Sequence, residues 1–416
     1  MKMLTLKKTA SALLAAAMTV ISACAQPASD ADTKKKQTGA PADEPSIKEE
    51  QEMPEAFPTA AAIAKEMGLG WNLGNTMEAY EASGCEKITF EWIPVIGGNS
   101  PSDYETCWGA PVTTQAMIDG VRDAGFSTVR IPVFWGNMMK NDGTWTIDPA
   151  YIGRVKEIVD YCMNDGLYAV VNIHHFDEFI IRRNDLEESS KIFRTLWTQI
   201  ADYFKDYPSK LVFEGFNEYL GGDRFNESGE LVKQKPDDAY LSTNTLNQVF
   251  VDAVRATGGN NSERTLIVSG YWTNIDNTTS DRFLVPTDKT ADRLMVSVHY
   301  VDNAMYWSNR IGSQKWLDYT DSQLALLDNA FGSKGIPVFL GETTSRYPKS
   351  NFAGDAKYTG SSECLEIVLE KITEHGFVPV LWDVTDNFYS RSSCTVKDTE
   401  DAKVISSLAG SLKQKR

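Results

Sequence analysis

The sequence predicts an α/β protein, a (β/α)8 TIM barrel built as a single domain. Its 416 residues are 42% hydrophobic and 24% charged, a composition that supports one large core in a chain of this length. Apolar stretches of five to eight residues alternate eight times with amphipathic stretches, the pattern of parallel strands joined by crossover helices. Eight such units are the number that closes a parallel barrel.

The predicted strands are short and largely apolar, as expected where helices cover a parallel sheet. The predicted helices are recognised by their spacing, since Ile192, Leu196, Ile200 and Phe204 recur every fourth residue and share one face. The predicted strands are 68–74, 127–133, 168–175, 211–218, 265–269, 295–300, 337–342 and 379–383. The predicted helices are 114–124, 149–164, 187–205, 245–256, 322–331, 362–374 and 402–412.

Two of the predicted strands end in a glutamate. The fourth, Leu-Val-Phe-Glu-Gly-Phe-Asn-Glu, ends at Glu218, and the seventh, Pro-Val-Phe-Leu-Gly-Glu, ends at Glu342. Because side chains alternate along a strand, Glu214, Phe216 and Glu218 are predicted to share one face. The carboxyl ends of barrel strands form one rim, where catalytic residues of such barrels lie. Two carboxyl groups at that rim are what the hydrolysis of a glycosidic bond requires.

Polar residues are also predicted at the ends of other strands. A barrel interior is normally filled by branched apolar side chains, so a polar ring indicates a functional site. An arginine next to a carboxyl group favours its ionised form, which is the role expected of Arg130 beside Glu342. The predicted ring consists of Arg130, Asn172, His174, Asn217, His299 and Trp382.

Six short motifs occur in an order typical of one family. With them, the chain resembles the glycoside hydrolase family 5 endoglucanases, also called cellulase family A, over about residues 68–410. The resemblance implies a clan in which the acid/base and the nucleophile end barrel strands four and seven. The motifs are Gly-Trp-Asn-Leu-Gly-Asn-Thr at 70–76, Glu-Thr-Cys-Trp-Gly at 105–109, Val-Arg-Ile-Pro-Val at 129–133, Asn-Ile-His-His at 172–175, Phe-Glu-Gly-Phe-Asn-Glu at 213–218 and Gly-Glu at 341–342.

The resemblance implies that Glu218 is the acid/base and Glu342 the nucleophile. The reaction passes through an oxocarbenium-like transition state, so one carboxyl must be protonated while the other is ionised. Asn217 resembles the asparagine of the family that hydrogen-bonds the sugar 2-hydroxyl. The residues expected to bind substrate are Arg130, His174, His175, Asn217, His299, Trp382, Asn75, Trp135 and Trp272.

One position departs from the family pattern. The family usually carries a tyrosine two residues after the histidine of strand six, but that position is Val301 here, and Tyr300 precedes it. Either the strand end is bulged so that Tyr300 turns inward, or another group such as Tyr306 replaces the tyrosine.

Other titratable residues have structural interpretations. Glu214 is expected to be a buried charge partner within the barrel. The adjacent His174 and His175 do not make a hydrolytic metal site, which needs three convergent ligands and an open position, and the chain has four histidines in all. We therefore expect neither a metal nor another cofactor.

Aromatic residues indicate the substrate class. Trp135, Trp272, Trp307 and Trp382 follow or end predicted strands, and indole rings stack on the apolar faces of sugars. Long loops at 76–112, 219–243 and 301–321 are predicted to border an open cleft that admits internal cuts. The favoured interpretation is a retaining endo-β-1,4-glucanase acting on cellulose, xyloglucan or mixed-linkage glucan. The alternatives are a glycan-binding surface lipoprotein without activity, and an endo-mannanase or xylanase on the same barrel.

The amino-terminal residues have the pattern of a bacterial lipoprotein signal. Three lysines precede an apolar run that is too short to span a membrane, and Ile-Ser-Ala-Cys at 21–24 resembles a lipobox with Cys24 as the acylated residue. We expect a signal peptide at 1–23, a flexible tether at 24–55 and the barrel domain at 56–416. An ordinary secretory signal is the alternative. The predicted location is the outer membrane or the cell surface, with attachment through the lipid alone.

Charge and cysteine content restrict the partners. A net charge of −16 argues against nucleic acid and anionic membrane surfaces as partners, whereas a neutral polysaccharide is compatible with it. We expect a monomer. With Cys24 acylated, five cysteines remain. A bridge between Cys85 and Cys107 would stiffen the first loop, Cys364 and Cys394 could pair, and Cys162 is expected to be a buried thiol.

Overall fold

The structure is a computed structural model that describes residues 57–81, 96–140, 142–175, 185–219, 221, 223–225 and 230–415. The predicted signal peptide, Cys24, the tether and Cys85 lie outside the described residues. Eight parallel strands close into a barrel, and helices alternate with them along the chain. The predicted (β/α)8 TIM barrel is confirmed.

Six of the eight barrel strands are shorter than predicted, and the other two, predicted at 295–300 and 337–342, have the predicted length but are displaced by one residue. Two small antiparallel hairpins, β5–β6 (Arg224–Phe225 and Leu231–Val232) and β11–β12 (Tyr389–Ser390 and Thr395–Val396), lie outside the barrel. The barrel strands, in chain order, are β1 (Gly70–Asn72), β2 (Thr128–Ile131), β3 (Tyr168–Asn172), β4 (Leu211–Glu214), β7 (Leu266–Ser269), β8 (Leu294–His299), β9 (Val338–Thr343) and β10 (Val378–Leu381).

The helices of the described residues include all seven that the sequence predicts, some of them longer than expected. The helix predicted at 245–256 begins at Pro236, whose fixed φ suits a first helical position, and the one predicted at 322–331 begins after Ser313, whose hydroxyl caps it. The helices are α1 (Ala60–Met67), α2 (Pro101–Thr106), α3 (Gln115–Ala124), α4 (Pro149–Asn164), α5 (Leu186–Tyr203), α6 (Pro236–Ala256), α7 (Ile275–Thr278), α8 (Asn303–Trp307), α9 (Gln314–Ala330), α10 (Ser361–Glu374) and α11 (Thr399–Gln414).

Two apolar clusters stabilise the fold. The larger fills the layer between the barrel and its surrounding helices, and the smaller lies inside the barrel. In the smaller cluster, Val170, Val212 and Phe339 pack against Ile63 and Met67 of α1. Helix α1 was not predicted, although its apolar residues have helical spacing. It covers the amino end of the barrel, so the site must open at the other end.

The fourth strand ends before the motif that it was predicted to contain. Strand β4 stops at Glu214, and the amide of Asn217 then donates to the carbonyl of Ile173 at 3.0 Å. Phe216 is buried, and its ring lies 6.0 Å from that of Phe193 on α5. The prediction that Glu214, Phe216 and Glu218 share one strand face is therefore wrong. The chain turns after β4, so side-chain alternation does not continue beyond Glu214.

The cysteines of the described residues are free thiols. Cys162 and Cys364 are buried, whereas Cys107 and Cys394 are half-buried. The suggested Cys364–Cys394 bridge is therefore wrong. Among the described residues, no helix combines the length and apolar character needed to cross a membrane.

Candidate active site

Arg130 organises the carboxyl end of the barrel. Its guanidinium is fully buried at the end of β2, where Nε donates to Glu214 Oε2 at 2.7 Å and Nη2 donates to Asn217 Oδ1 at 2.8 Å. Nη1 donates to Asn72 Oδ1 at 3.0 Å and to Glu342 Oε1 at 3.1 Å. A planar fork of donors thus connects four strand ends and holds Glu342 in one orientation.

Glu214 completes this network from inside the barrel. Its carboxylate also accepts hydrogen bonds from Ser297 Oγ at 2.9 Å and from Asn172 Nδ2 at 3.1 Å. With every neighbour a donor and no exposed surface, Glu214 balances the charge of Arg130. The expectation that it is a buried charge partner is confirmed.

The two strand-terminal glutamates lie side by side, but their environments differ. Oxygens of Glu218 and Glu342 and a ring nitrogen of His299 all lie within 4.8 Å of one another. The Glu218 side chain is 41% exposed, whereas that of Glu342 is 7% exposed. Glu342 is therefore fixed within the protein, and Glu218 faces the cleft.

His299 lies between the two glutamates and contacts Glu218. Its Nδ1 lies 2.8 Å from Glu218 Oε1 and 3.6 Å from Glu342 Oε2. Burial lowers the pKa of His299, but the carboxylates of Glu342 and Glu218 outweigh it and raise the pKa above its ordinary value. Burial likewise raises the pKa of Glu218, yet the hydrogen bond and positive charge of His299 bring it below its ordinary value. Both shifts favour a charged pair of His299 and Glu218.

The pKa of Glu342 shifts in the opposite direction and lies above its ordinary value. Burial raises the pKa of its carboxyl group, and the charge of Glu218 adds to this, although His299, Arg130 and the Tyr300 hydroxyl lower it. Hydrogen bonds donated by Arg130 and Tyr300 stabilise the ionised form of Glu342 in this buried position.

The end of β8 is bulged, and this places Tyr300 in the site. The register between β8 and β9 shifts at His299, and Tyr300 has a positive φ of 45°. Its amide donates to the carbonyl of Glu342 at 2.9 Å, and its hydroxyl donates to Glu342 Oε2 at 3.1 Å. Val301 is buried. Of the two arrangements considered for this departure, the structure has the inward Tyr300.

His174 and Trp382 form the floor beside the carboxyls. Their rings are nearly parallel at 5°, with centroids 6.1 Å apart. Burial lowers the pKa of His174 well below its ordinary value and brings that of His175 to about 4, so both are neutral. A cavity of about 340 Å³ lies above them, and Asn217 and both glutamates line it as well.

Comparison with known proteins identifies this arrangement. Residues 94–388 match the family described as Cellulase (glycosyl hydrolase family 5). The chain belongs to glycosyl hydrolase family 5. It is 36% identical to Endoglucanase A of Clostridium longisporum, over 78% of this chain and 59% of that protein. It is 34% identical to Endoglucanase A of Paenibacillus barcinonensis, over 78% of this chain and 82% of that protein.

Solved structures of family 5 agree with this assignment. The barrel superposes on a broad-specificity endoglucanase of subfamily GH5-4 from Ruminococcus champanellensis, solved with bound cellotriose, with a TM-score of 0.71 and 30% identity. The match covers 85% of this chain and 99% of that one. The resemblance drawn from the six motifs is thereby confirmed.

In this family 5 barrel, one residue predicted to bind substrate is not placed to do so. Trp135 is fully buried, and its indole donates to the carbonyl of Asn172 at 2.9 Å, so it supports the end of β3. Asn75 is half-buried, has a positive φ of 58°, and donates its amide to Glu78, and its part in substrate binding stays a prediction. The prediction for Trp135 assumed that an aromatic residue at the rim reaches the cleft.

Beside Glu218, this family 5 chain has an open groove of about 680 Å³ among its described residues. Trp272 and Trp307, which are 38% and 74% exposed, lie along it, and Trp382 lies at its inner end. Trp272 takes a left-handed backbone conformation, φ 64°, and its amide donates to the carbonyl of Tyr219 at 2.6 Å. The predicted cleft position of Trp272 and Trp382 is thus observed.

Asp302 holds the loops behind the site, a role that was not predicted. It is buried with 1% exposure, and its carboxylate accepts hydrogen bonds from Thr344 Oγ1 at 3.2 Å and Trp316 Nε1 at 3.3 Å. These bonds connect the chain after β8 to the chain after β9. No motif in the sequence marks this aspartate, because its partners come from two separate segments.

Proposed function

We propose that this chain is a retaining endo-β-1,4-glucanase that hydrolyses internal linkages of a β-glucan such as cellulose, xyloglucan or mixed-linkage glucan. The observation that carries the proposal is the close approach of Glu218 and Glu342 oxygens, within 4.8 Å. Retaining glycosidases hold the two carboxyl groups about 5–5.5 Å apart, whereas inverting enzymes leave about 6.5–9.5 Å for a water molecule. The endoglucanase names of the relatives support the same activity.

Glu342 acts as the nucleophile. Arg130 and Tyr300 donate to its two oxygens and hold it ionised, and its 7% exposure keeps it in one position below the sugar. Attack on the anomeric carbon forms a bond to one carboxylate oxygen while the bond to the leaving oxygen breaks, giving a glycosyl-enzyme of inverted configuration. Asn217 is positioned by Arg130 to bind the 2-hydroxyl of that sugar.

Glu218 acts as the acid and then as the base. His299 lies 2.8 Å from Glu218, and substrate that excludes water beside Glu218 favours the protonated form of its carboxyl group. Glu218 gives this proton to the leaving oxygen, then takes one from the water that releases the glycosyl-enzyme. Two inversions produce net retention.

The proposed reaction is tested by product analysis. Purified protein is incubated with a panel of soluble glucans, mannan and xylan, and reducing ends are followed together with viscosity, since internal cuts lower viscosity early. Early NMR spectra of the products should show the β-anomer. An α-anomer, or release of sugar from mannan or xylan alone, would contradict the proposal, and no release from any polysaccharide would favour a binding protein without activity.

Replacement of Tyr300 by phenylalanine should move the acidic limb of the kcat/KM profile to higher pH. Glu342 must be ionised, so activity is lost as pH falls through its pKa. The Tyr300 hydroxyl lowers that pKa, and its removal therefore raises it. We expect a loss of about tenfold in kcat at the optimum, since a hydrogen bond to a charged group is lost. Tyr306→Phe is the control, and an equal shift in both variants would refute the role of Tyr300.

We also propose that Cys24 carries a lipid that anchors the mature chain to the outer membrane or cell surface, and that the barrel acts as a monomer. The support is the lipobox and the tether-like composition that follows it. Cys24→Ser should lose labelling by a fatty-acid analogue and leave the membrane fraction, whereas Cys394→Ser should not. Membrane retention of the Cys24 variant would contradict the anchor.

A further inference from the structure

The chain after β8 is held in an unfavourable backbone conformation. Tyr300 has a φ of 45°, in the left-handed region that residues other than glycine rarely adopt. This conformation brings its hydroxyl to 3.1 Å from Glu342 Oε2 and its amide to 2.9 Å from the Glu342 carbonyl. A strained residue keeps its conformation only where its surroundings fix the chain on both sides, so the chain beyond Tyr300 needs an anchor of its own.

Asp302 supplies this anchor. Its Oδ1 accepts a hydrogen bond from Thr344 Oγ1 at 3.2 Å. Tyr300 and Asp302 are two residues apart in the chain after β8, and Glu342 and Thr344 are two residues apart at the end of β9. The same two segments are thus joined twice, first by Tyr300 and Glu342 and then by Asp302 and Thr344. Loss of the second connection would free Tyr300 to move away from Glu342.

A buried helix supports Asp302 from behind. Trp316 is fully buried in the first turn of α9, and its Nε1 donates to Asp302 Oδ2 at 3.3 Å. The amide of Trp316 is itself bound to Ser313 Oγ at 3.3 Å, so the start of α9 is fixed. The carbonyl of Asp302 accepts hydrogen bonds from the amides of Met305 and Tyr306 in α8, at 3.0 and 2.9 Å. Each oxygen of the Asp302 carboxyl group therefore has a donor from a different segment.

The carboxyl group of Asp302 is costly to bury. Burial raises its pKa, although side-chain hydrogen bonds lower it, and Thr344 and Trp316 are uncharged donors. Burial also raises the pKa values of the titratable groups that face Asp302 from neighbouring elements, so these groups carry no charge near neutral pH: Tyr306, Tyr319, Tyr347 and Cys364. A carboxyl group buried among neutral groups stabilises a fold less than an apolar residue would. Stability alone therefore does not explain Asp302.

Asp302 acts on the site without reaching the substrate. It is buried, and its neighbours Asn303 and Thr344 line the groove beside Glu218 instead. We propose that Asp302 is a positioning residue that, with Thr344, holds the Tyr300 hydroxyl on the nucleophile Glu342. The inference rests on the proposed function, which assigns Glu342 as the nucleophile.

Replacement of Asp302 by alanine tests this role. Without the anchor, Tyr300 no longer holds its hydroxyl on Glu342, and the pKa of Glu342 rises because that hydroxyl lowers it. The acidic limb of the kcat/KM profile on a soluble β-glucan should therefore move to higher pH. We expect kcat at the optimum to fall about tenfold, as for Tyr300→Phe.

Asp302→Asn separates position from charge. An indole N–H can only donate, whereas a hydroxyl can also accept, so asparagine can keep both hydrogen bonds with its oxygen toward Trp316 and its amide toward Thr344. This variant should retain the acidic limb and most of the kcat of the wild type. If the charge of Asp302 acted directly on Glu342, its loss would lower the pKa of Glu342, and both variants would move the limb to lower pH.

Two further variants keep the test decisive if Asp302→Ala does not fold. Thr344→Val removes the hydroxyl donor with little change of shape and should move the acidic limb to higher pH. In the Tyr300→Phe background, Asp302→Ala or Thr344→Val should lower kcat by less than about twofold more, because the hydroxyl that they position is already absent. An additional tenfold loss in that background would show that Asp302 acts independently of Tyr300.

Asp401→Ala is the matched control. Asp401 is 1% exposed and accepts a hydrogen bond from Ser362 Oγ at 2.5 Å, between α10 and α11. Its replacement should lower the melting temperature without moving the acidic limb. An equal movement in Asp401→Ala, or no movement in either Asp302→Ala or Thr344→Val, would overturn the positioning role while the proposed function stands. A wild-type protein that hydrolyses no β-glucan would refute the proposed function, and the positioning role with it.

Discussion

Replacement of Glu342 by glycine is expected to abolish hydrolysis of every β-glucan. The variant has no group to form the glycosyl-enzyme, so natural-substrate turnover should fall by several powers of ten, about 4 kcal/mol or more of transition-state stabilisation. The barrel should remain folded, because Arg130 retains its bonds to Glu214 at 2.7 Å and Asn72 at 3.0 Å. Melting temperature and turnover are measured on the same preparation.

Added azide should restore part of the activity of Glu342→Gly and report the face of attack. The missing carboxylate leaves space beside Arg130 for a small anion, which can attack an aryl β-cellobioside from the side that Glu342 occupied. One displacement inverts the anomeric carbon, so NMR should show an α-glycosyl azide. A β-glycosyl azide would reverse the roles assigned to Glu342 and Glu218.

The barrel was predictable because its signals are local and repeated. Eight apolar stretches separated by helical periodicity lead to one topology, and six ordered motifs identify the family. Helix α1 shows the limit of this approach. Its eight residues have the right spacing, but only the closed barrel shows that Ile63 and Met67 cover the amino end of the strands.

The sequence correctly predicts that Glu218 lies at the rim of the barrel, but the argument from strand alternation that led to this prediction is wrong. Strand alternation predicted its direction, but β4 ends at Glu214, and the next residues turn so that Phe216 packs outward on Phe193. Glu218 reaches the cleft from an irregular segment. Where a chain leaves a strand, its direction depends on tertiary bonds such as that from the Asn217 amide to Ile173, which periodicity cannot predict.

The remaining site residues depend on contacts between distant segments. Tyr300 lies in the site because the register shifts between β8 and β9. Trp135 lies outside it because its indole donates a hydrogen bond to the end of β3. Asp302 lies in no motif. Its significance comes from its burial and its hydrogen-bond partners, and these are properties of the folded chain.

Replacement of Glu218 by alanine should separate the two chemical steps. An aryl glycoside with a good leaving group needs little help from an acid, so the glycosyl-enzyme on Glu342 should form at a nearly normal rate. Its hydrolysis should be slow, because no base activates the water. We expect a burst of phenol followed by a low steady rate, a KM below that of the wild type, and accumulation of a covalent adduct visible by mass spectrometry.

Azide gives this variant a different product from that of Glu342→Gly. As an anion, azide needs no general base, and removal of the Glu218 carboxylate admits it to the glycosyl-enzyme from the cleft side. The second displacement inverts the anomeric carbon again, so the product should be a β-glycosyl azide, released faster as azide increases. Natural glucans with poor leaving groups should still fall by several powers of ten, about 4 kcal/mol, because azide cannot replace the acid. An α-glycosyl azide from Glu218→Ala would reverse the roles assigned to the two glutamates, and full activity on glucans would show that Glu218 does not supply the proton.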